Sequence, residues 1–268
     1  MSRLACAFSD PHRPTLVAFT VAGDPDPASS ARIAATLLAS GADVLELGMP
    51  YSDPTGDGKV IERADGRALA AGMTPTGLFA LVRTLRDGGA DAPIVLLCYF
   101  NVLYRYGVDR FCSDAAAAGV DGLLCVDLPV EQSDELHPAC RAAGLDRILM
   151  ASPATGDARL ARIGREAEGF VYAVSSRGVT GVRDGVPDAV APFVERLRRT
   201  TDLPIAVGFG IATPDQALAV IASGADGVIV GSAIVSLVEA HGCDEPAMHR
   251  ALGAYISSLR AALDPSPG

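Results

Sequence analysis

The residue that most strongly suggests chemistry is Glu46, a carboxylate inside the otherwise apolar run of residues 44–47. Side chains alternate between the two faces of a β-strand, so Glu46 should face away from its neighbours Leu45 and Leu47. It then either points into an active-site opening or is an unpaired buried charge, which is costly. Burial would raise its pKa and suit a group that gives and accepts a proton near neutral pH. A structural carboxylate paired with an arginine or lysine is the alternative.

A second carboxylate, Asp57, follows eleven residues later in a loop that also contains Asp53, Pro54 and Gly58. Such a loop can fold over an opening and bring Asp57 beside Glu46. Aspartate is also common in turns because it accepts backbone hydrogen bonds, so a structural role for Asp57 stays open here. Asp53, directly before Pro54, is predicted to be a turn residue. Together Glu46 and Asp57 indicate general acid–base chemistry.

Glycine-rich segments late in the chain predict a phosphate site. They occupy residues 176–181, 208–211 and 231–235, and the last contains Gly231 and Ser232 at the start of a helical segment. Glycines let backbone N–H groups approach an anion, and the dipole of a helix favours negative charge at its N-terminus. One glycine pair would be weak evidence in a chain with 28 glycines. Three such segments after predicted strands make a phosphorylated small molecule the expected substrate class.

Other catalytic devices have no support in the sequence. The four histidines, His12, His137, His241 and His249, fall in the N-terminal tail or on helical segments, so no metal site is predicted. Lys59 is the only lysine and stands in a loop, which argues against a Schiff-base aldolase. We find no nucleophile elbow, Walker A motif or dinucleotide fingerprint.

The elements that must position these groups alternate along the chain. Apolar runs typical of β-strands alternate with segments of helical spacing, and the runs occupy residues 16–21, 44–47, 94–98, 122–126, 148–150, 170–174, 205–207 and 227–230. Their continuous hydrophobicity indicates a parallel sheet covered on both faces. Eight βα units in about 250 residues favour a closed barrel over an open sheet. The predicted fold is α/β, a single (β/α)8 TIM barrel with extra short helices, whose active site lies at the carboxyl ends of the strands.

Four predicted helix-to-strand joints share one pattern, a small residue followed by Gly, an apolar residue and Asp. They occupy residues 40–43, 118–121, 143–146 and 223–226. Each glycine can adopt the left-handed conformation that ends a helix, and each aspartate opens the next strand. No linker divides the chain, so we expect one domain over residues 1–268, with frayed tails at about 1–13 and 264–268.

Composition limits the partners and the compartment. A content of 49% hydrophobic and 20% charged residues excludes a disordered chain. The formal net charge of -10 disfavours nucleic acid and anionic membranes as partners. Six scattered cysteines without CxxC pairing, together with the lack of a long apolar segment or a signal-peptide core, predict a cytoplasmic protein.

The site motifs together resemble the tryptophan synthase α subunit family. The strongest match is Leu45-Glu-Leu-Gly-Met-Pro-Tyr-Ser-Asp-Pro-Thr-Gly-Asp-Gly58, which is similar to the family signature LELGxPFSDPxADG. Supporting segments occupy residues 19–25, 98–101, 126–131, 178–181, 208–211 and 231–235. The resemblance runs from about Leu16 to the last helix and involves motifs at several independent strand ends.

The resemblance implies a cofactor-free lyase of tryptophan biosynthesis. It would reversibly cleave indole-3-glycerol phosphate to indole and glyceraldehyde 3-phosphate, with PLP only in a partner β subunit. Glu46 would be the general acid and base, and Asp57 would hold the indole N–H. The implied substrate-binding residues are Phe19, Tyr99, Asp127, Tyr172, Thr180 and Phe209, and the implied phosphate-binding residues are Gly181, Gly210, Gly231 and Ser232.

The chain departs from the family pattern after Asp57. The family usually continues with a proline and a glutamine, where this chain has Lys59 and Glu62, and it prefers alanine where Gly56 stands. Three alternatives stay open, and the first two follow from these differences. One is a stand-alone or specialised-pathway indole-3-glycerol phosphate lyase, and another is a mainly regulatory module for a PLP-dependent β subunit. The third is some other cofactor-free phosphosugar barrel.

Overall fold

Eight parallel strands close into a barrel in a computed structural model that describes residues 2–174, 190–208, 210–242 and 244–265. Each strand pairs with the next along the chain, and β8 pairs with β1, so the order is that of the sequence. The strands are β1 (Thr15–Val21), β2 (Val44–Gly48), β3 (Ile94–Cys98), β4 (Gly122–Cys125), β5 (Asp146–Ala151), β6 (Val171–Val174), β7 (Ile205–Gly208) and β8 (Gly227–Val230). The predicted (β/α)8 barrel is confirmed.

Helices surround the barrel in two groups. An outer ring is formed by α2 (Pro27–Ala39), α4 (Pro75–Asp87), α6 (Val108–Ala118), α7 (His137–Ala143), α8 (Asp157–Glu166), α9 (Val190–Arg198), α10 (Pro214–Ala222) and α12 (Glu245–Leu263). The extra helices are α1 (Arg3–Ala7), α3 (Lys59–Ala70), α5 (Phe100–Tyr106), α11 (Ser232–His241) and a 3₁₀ helix (Val130–Glu135). Since α3, α5 and α11 begin soon after the carboxyl ends of β2, β3 and β8, they are placed to shape the active-site opening.

The strands are buried on both faces, as their continuous hydrophobicity predicts. Every residue of β1, β2 and β3 is buried, because the barrel interior covers one face and the helical ring covers the other. Within the described residues no single helix is long and apolar enough to span a membrane, and one pair bent by 96°, α3 with α4, passes by length and composition alone.

The four repeated joints adopt the predicted conformation. Gly41, Gly119, Gly144 and Gly224 all have positive φ, between 73° and 112°. The aspartates do more than open a strand. Three of them accept a hydrogen bond from the first or second N–H of a neighbouring strand, at 2.7–2.8 Å: Asp43 from Leu16, Asp121 from Ile94, and Asp226 from Ile205. The repeated pattern therefore joins adjacent strands at the amino end of the barrel.

The N-terminal tail differs from the prediction, because residues 3–7 form helix α1 rather than a frayed segment. Leu4 is fully buried and fits against Gly122 and Gly169, where an added Cβ would lie 3.0–3.2 Å from it. Phe8 packs on Phe170 with ring centroids 5.3 Å apart. This helix covers the amino end of the barrel, and burial of Leu4 and Phe8 offsets the entropy lost in ordering it.

Arg86 offers a test of how the amino end is stabilised. Its guanidinium is mostly buried and donates to the carbonyls of Ala90, Ala92 and Gly119 and to Asp121. We expect Arg86→Met to lower the free energy of unfolding by about 3 kcal/mol, because it leaves a largely buried carboxylate and several carbonyls without their donor. Urea denaturation measures the change. The control Arg199→Met, which removes an exposed pair with Glu195, should cost less than about 0.5 kcal/mol, and equal losses would contradict the interpretation.

Candidate active site

A cavity of about 760 Å³, including space open to solvent, lies at the carboxyl ends of the strands. It brings together six of the predicted site residues: Asp57, Phe19, Tyr172, Gly210, Gly231 and Ser232. One opening therefore contains both a carboxylate and the glycines predicted to bind phosphate. A barrel with extra helices around its rim forms this opening by its topology.

Glu46 lies in the wall of the barrel beside this cavity. Its register partner on β1 is Phe19, which lines the cavity, and paired residues of parallel strands point to the same face, so Glu46 points inward. Its side chain is 0% exposed, and neither carboxylate oxygen has a hydrogen-bond partner among the described residues. Burial, and secondarily the charge of Asp57, raises the pKa of Glu46 to about 8. The carboxyl group is therefore protonated at neutral pH.

Asp57 is oriented by Tyr99, which begins the segment after β3. The Tyr99 hydroxyl donates to Asp57 Oδ2 at 2.8 Å and accepts the Gly56 N–H at 3.0 Å. A Cβ at position 56 would lie 3.2 Å from that hydroxyl, so glycine permits this close approach. Burial raises the pKa of Asp57 and the hydrogen bond from Tyr99 opposes the rise. Tyr51 stacks on Tyr99, with centroids 4.9 Å apart.

Tyr172 lies close to both carboxyl groups. Burial and the charges of Glu46 and Asp57 raise the pKa of the Tyr172 hydroxyl well above its ordinary value, so it stays protonated. Its ring lies over Gly208, where an added Cβ would come within 2.7 Å of the hydroxyl oxygen. Glycine at the end of β7 thus makes room for this aromatic wall.

Phe19 forms another wall of the cavity and depends on two glycines. A Cβ at Gly48 would lie 2.8 Å from the ring, and one at Gly231 would lie 3.0 Å from it. The ring therefore occupies the space that side chains on β2 and after β8 would take. Phe19 is buried, and it offers an apolar surface beside the two carboxyl groups.

The predicted anion cradle lines the same cavity. Gly210 follows β7 with φ of +61°, and Gly231 caps α11, which begins at Ser232. The first N–H groups of a helix have no partner within it, and the helix dipole favours an anion there. Of the predicted cradle, Gly210, Gly231 and Ser232 belong to the described residues and line the cavity, together with Ala233.

The remaining predicted residues are placed differently. Thr180, Gly181 and Phe209 lie outside the described residues. The structure does not bring Asp127 to the cavity. Because β4 ends at Cys125, Asp127 lies in the turn that follows, and its Oδ1 accepts the Phe100 N–H at 2.7 Å in the first turn of α5. Among the described residues, no group of three or more His, Cys, Asp or Glu side chains is arranged to hold a metal ion.

Sequence reasoning missed two kinds of residue. The first is the apolar lining, which includes Ile61, Leu97, Val126, Met150, Val174, Ile211 and Ile229. For Leu97, Val126, Met150, Val174 and Ile229 the signal was the last position or two of an apolar run, where a strand meets the opening. Ile61 on α3 and Ile211 after β7 had no such signal. The second is Asp65 on α3, which is buried beside other acids. Burial and the charges of Asp57, Asp24 and Glu62 raise its pKa to about 8.

Two residues that depart from the family pattern, Lys59 and Glu62, pair with each other. Lys59 Nζ pairs with Glu62 Oε2 at 2.8 Å, and both side chains are exposed on the first turn of α3. The pair lies on the solvent side of the helix, whereas Ile61 lies on the side that faces the cavity. Neither residue lines the cavity.

A parallel barrel with one buried and one partly buried carboxyl group beside glycine-rich strand ends defines a barrel enzyme suited to acid–base chemistry on a phosphorylated small molecule. Comparison with known proteins gives the family. Residues 6–263 match the family described as "Tryptophan synthase alpha chain". The chain belongs to that family.

Individual relatives agree over nearly the whole chain. The tryptophan synthase alpha chain of Methanoregula boonei is 45% identical, covering 98% of this chain and 99% of the relative. The tryptophan synthase subunit alpha of Legionella pneumophila has a TM-score of 0.89 at 37% identity, over 98% and 99% of the two chains. A chain of a tryptophan synthase α2β2 complex from Pyrococcus furiosus has a TM-score of 0.84 at 35% identity, covering 93% of this chain and 99% of that chain. The predicted family is confirmed, and the chain is a lyase of tryptophan biosynthesis.

The raised pKa of Glu46 predicts how stability depends on pH. An acid protonated when folded but ionised when unfolded loses stability as the pH rises from its ordinary 4.5 to about 8. Glutamine has no such titration, so we expect the free energy of unfolding of Glu46→Gln, measured relative to that of wild type, to increase with pH. The increase should be up to about 1.4 kcal/mol per pH unit across this interval. Urea denaturation at pH 5, 7 and 9 measures it. Glu195→Gln, at an exposed site on α9, should track wild type. Parallel curves for Glu46→Gln and wild type would rule out a buried neutral carboxyl.

Proposed function

We propose that Glu46 and Asp57 together cleave indole-3-glycerol phosphate to indole and glyceraldehyde 3-phosphate. The observation that carries the proposal is the state of Glu46, a fully buried carboxyl with no hydrogen-bond partner among the described residues and a pKa of about 8. Such a group can donate a proton at neutral pH and take one back. Glu46 does not line the cavity, so its carboxyl must rotate to reach a bound substrate, and no described hydrogen bond opposes that rotation.

The proton transfers balance on this one residue. Glu46 gives its proton to C3 of the indole ring, which leaves the ring cationic. It then takes the proton of the hydroxyl on the adjacent side-chain carbon. The bond between that carbon and C3 breaks, the carbon becomes the aldehyde, and the electron pair returns to the ring to give indole.

Asp57 supplies the charge that the cationic ring needs. Its carboxylate accepts a hydrogen bond from the indole N–H and stabilises the positive charge that develops there. Tyr99 contributes by donating to Oδ2, which favours the ionised carboxylate against the effect of burial and leaves Oδ1 for the substrate. In the largely buried surroundings of Asp57 this electrostatic stabilisation is stronger than it would be in water.

The two ends of the substrate are bound by different parts of the cavity. Phe19 and Tyr172 contact the indole, and Gly210, Gly231 and Ser232 bind the phosphate. Thr180, Gly181 and Phe209, which lie outside the described residues, complete these two sets by family resemblance. Holding both ends orients the scissile bond beside Glu46, and such positioning is itself a large part of catalysis.

The chain works with a tryptophan synthase β subunit that carries PLP, and this chain contributes no cofactor of its own. The α2β2 complex of the Pyrococcus furiosus relative supports this proposal. Helix α5 provides a suitable surface, because Tyr104 is 70% exposed there beside Phe100, Asn101 and Leu128. Asp127 holds the first turn of α5, directly after Tyr99, so a partner on α5 would contact the element that orients Asp57. A cytoplasmic location follows from the composition and remains part of the proposal.

Activity tests the two carboxyl groups. Glu46→Gln and Asp57→Asn should each lower the rate of indole release from indole-3-glycerol phosphate by about 10² to 10⁴, because one removes the proton donor and the other the stabilising charge. Indole is measured with and without a β subunit, and Glu62→Gln, an exposed change on α3, is the matched control. Full activity of Glu46→Gln, or no indole from wild type under either condition, would defeat the proposal.

Binding of the partner tests the α5 surface. Tyr104→Ala should weaken binding of the β subunit by about tenfold, since exposed aromatics often anchor interfaces, while the free energy of unfolding stays unchanged. Titration calorimetry with a purified β subunit measures the affinity. Leu218→Ala, an exposed apolar residue on α10 across the barrel, should bind like wild type. Equal affinities for the three proteins would show that α5 is not the docking surface.

A further inference from the structure

Two extra helices carry opposing parts of the active site. Helix α3 begins two residues after Asp57 and contributes Ile61 to the cavity, and α11 begins at Ser232 of the anion cradle. Neither helix belongs to the outer ring. Both contact β1 and each other, so their relative position depends on contacts made at the opening of the barrel.

A group of ion pairs joins these two helices. Arg63 and Arg67 lie one turn apart on α3, and both donate to Glu239 on α11. Arg63 donates through Nε and Nη2 to the two carboxylate oxygens at 2.7 Å each, and Arg67 donates through Nη1 at 2.9 Å. Paired guanidinium–carboxylate contacts of this kind constrain orientation as well as distance.

Arg67 also reaches the segment after β1. Its Nε and Nη2 donate to the two oxygens of Asp24 at 2.7 and 2.9 Å, and the Asp24 side chain is 1% exposed. One guanidinium therefore joins three elements: the β1–α2 segment, α3 and α11. We call the four residues Asp24, Arg63, Arg67 and Glu239 the rim cluster.

We propose that Arg67 and Glu239 of the rim cluster are positioning residues that set the distance between Asp57 and the phosphate cradle. This inference rests on the proposed function, because it assigns to one substrate the two ends that the cluster spaces. Neither residue lines the cavity. Their effect passes through α3 to the loop that carries Asp57, and through α11 to Gly231 and Ser232.

Glu239 stays charged under working conditions. The hydrogen bonds from Arg63 and Arg67 lower the pKa of Glu239 to about 2, so its carboxylate is ionised at neutral pH. The side chains of Arg63, Arg67 and Glu239 are partly exposed, and such pairs contribute little to stability. Removing Glu239 should therefore change the spacing of the site more than the stability of the fold.

The direction of the expected effect separates positioning from simple electrostatics. Removing a negative charge near an anion site would, by Coulomb attraction alone, tighten phosphate binding. A positioning role predicts the opposite, because α11 loses its link to α3 and the cradle shifts relative to Asp57. The two interpretations therefore predict opposite changes in phosphate affinity when Glu239 is neutralised.

The test compares Glu239→Gln with Glu245→Gln. Glu245 pairs with Arg32 and His249 and joins the ring helices α2 and α12, so its substitution makes the same change in charge away from the site. We expect Glu239→Gln to weaken binding of glycerol 3-phosphate, measured by calorimetry, by about tenfold. KM for indole-3-glycerol phosphate should rise by a similar factor with kcat within about twofold of wild type. Glu245→Gln should match wild type.

A second variant, Arg67→Lys, keeps the charge but loses the paired contacts with Asp24 and Glu239. It should also weaken binding of glycerol 3-phosphate, because lysine cannot reproduce the planar fork of arginine. Unchanged or tighter binding in folded Glu239→Gln, or equal changes in Glu239→Gln and Glu245→Gln, would overturn the inference.

The binding assay does not depend on turnover, so the two proposals can fail separately. If wild type releases no indole but Glu239→Gln still binds glycerol 3-phosphate more weakly, the proposed function fails and the positioning role stands. If wild type releases indole and the variants bind normally, only the positioning role fails. A wild type that binds no glycerol 3-phosphate would overturn the positioning role, whatever its rate of indole release.

Discussion

Glu46 occupies an unfavourable position, and the surrounding architecture accounts for it. A carboxyl group in the wall of the barrel, without exposure and without a described hydrogen-bond partner, is tolerated because burial keeps it neutral. A buried neutral carboxyl without a hydrogen-bond partner lowers the free energy of unfolding, and the rest of the barrel must offset that loss. The continuous apolar strands, the ring of helices and the aspartate joints at the amino end do so. The stable amino end of the barrel thus supports a buried, unpaired carboxyl group near the other end.

The site divides its groups between rigid and adjustable parts. Glu46, Phe19 and Tyr172 lie on strands, whose register is set by the ladder of the barrel. Asp57 and the phosphate cradle belong instead to a loop and to the start of an extra helix, which the ladder does not constrain. Tyr99 and the rim cluster connect these adjustable parts to the frame. Such a division lets a substrate enter while the backbone of Glu46, the proposed proton donor, stays fixed in the barrel.

The sequence allowed the barrel, the glycine joints and Glu46 to be predicted, because each has a local signal. Apolar runs, left-handed glycines and a carboxylate between two leucines can all be recognised within a few residues. Helix α1 could not be predicted in this way, since Leu4 is buried only where the barrel leaves a space against Gly122 and Gly169. Asp127 also follows a strand, but the early end of β4 directs it to α5. The contact between Asp24 and Arg67 joins residues 43 positions apart, and no local pattern indicates it.

The fit of Phe19 between Gly48 and Gly231 has a consequence for redesign of the pocket. The ring and the two glycines form an interlocked set, so the glycines cannot be enlarged one at a time without displacing the aromatic wall. Evolution or engineering toward a bulkier aromatic substrate would have to begin by shrinking the ring. Only then could either glycine accept a methyl group, and the order in which such changes accumulate is thereby constrained.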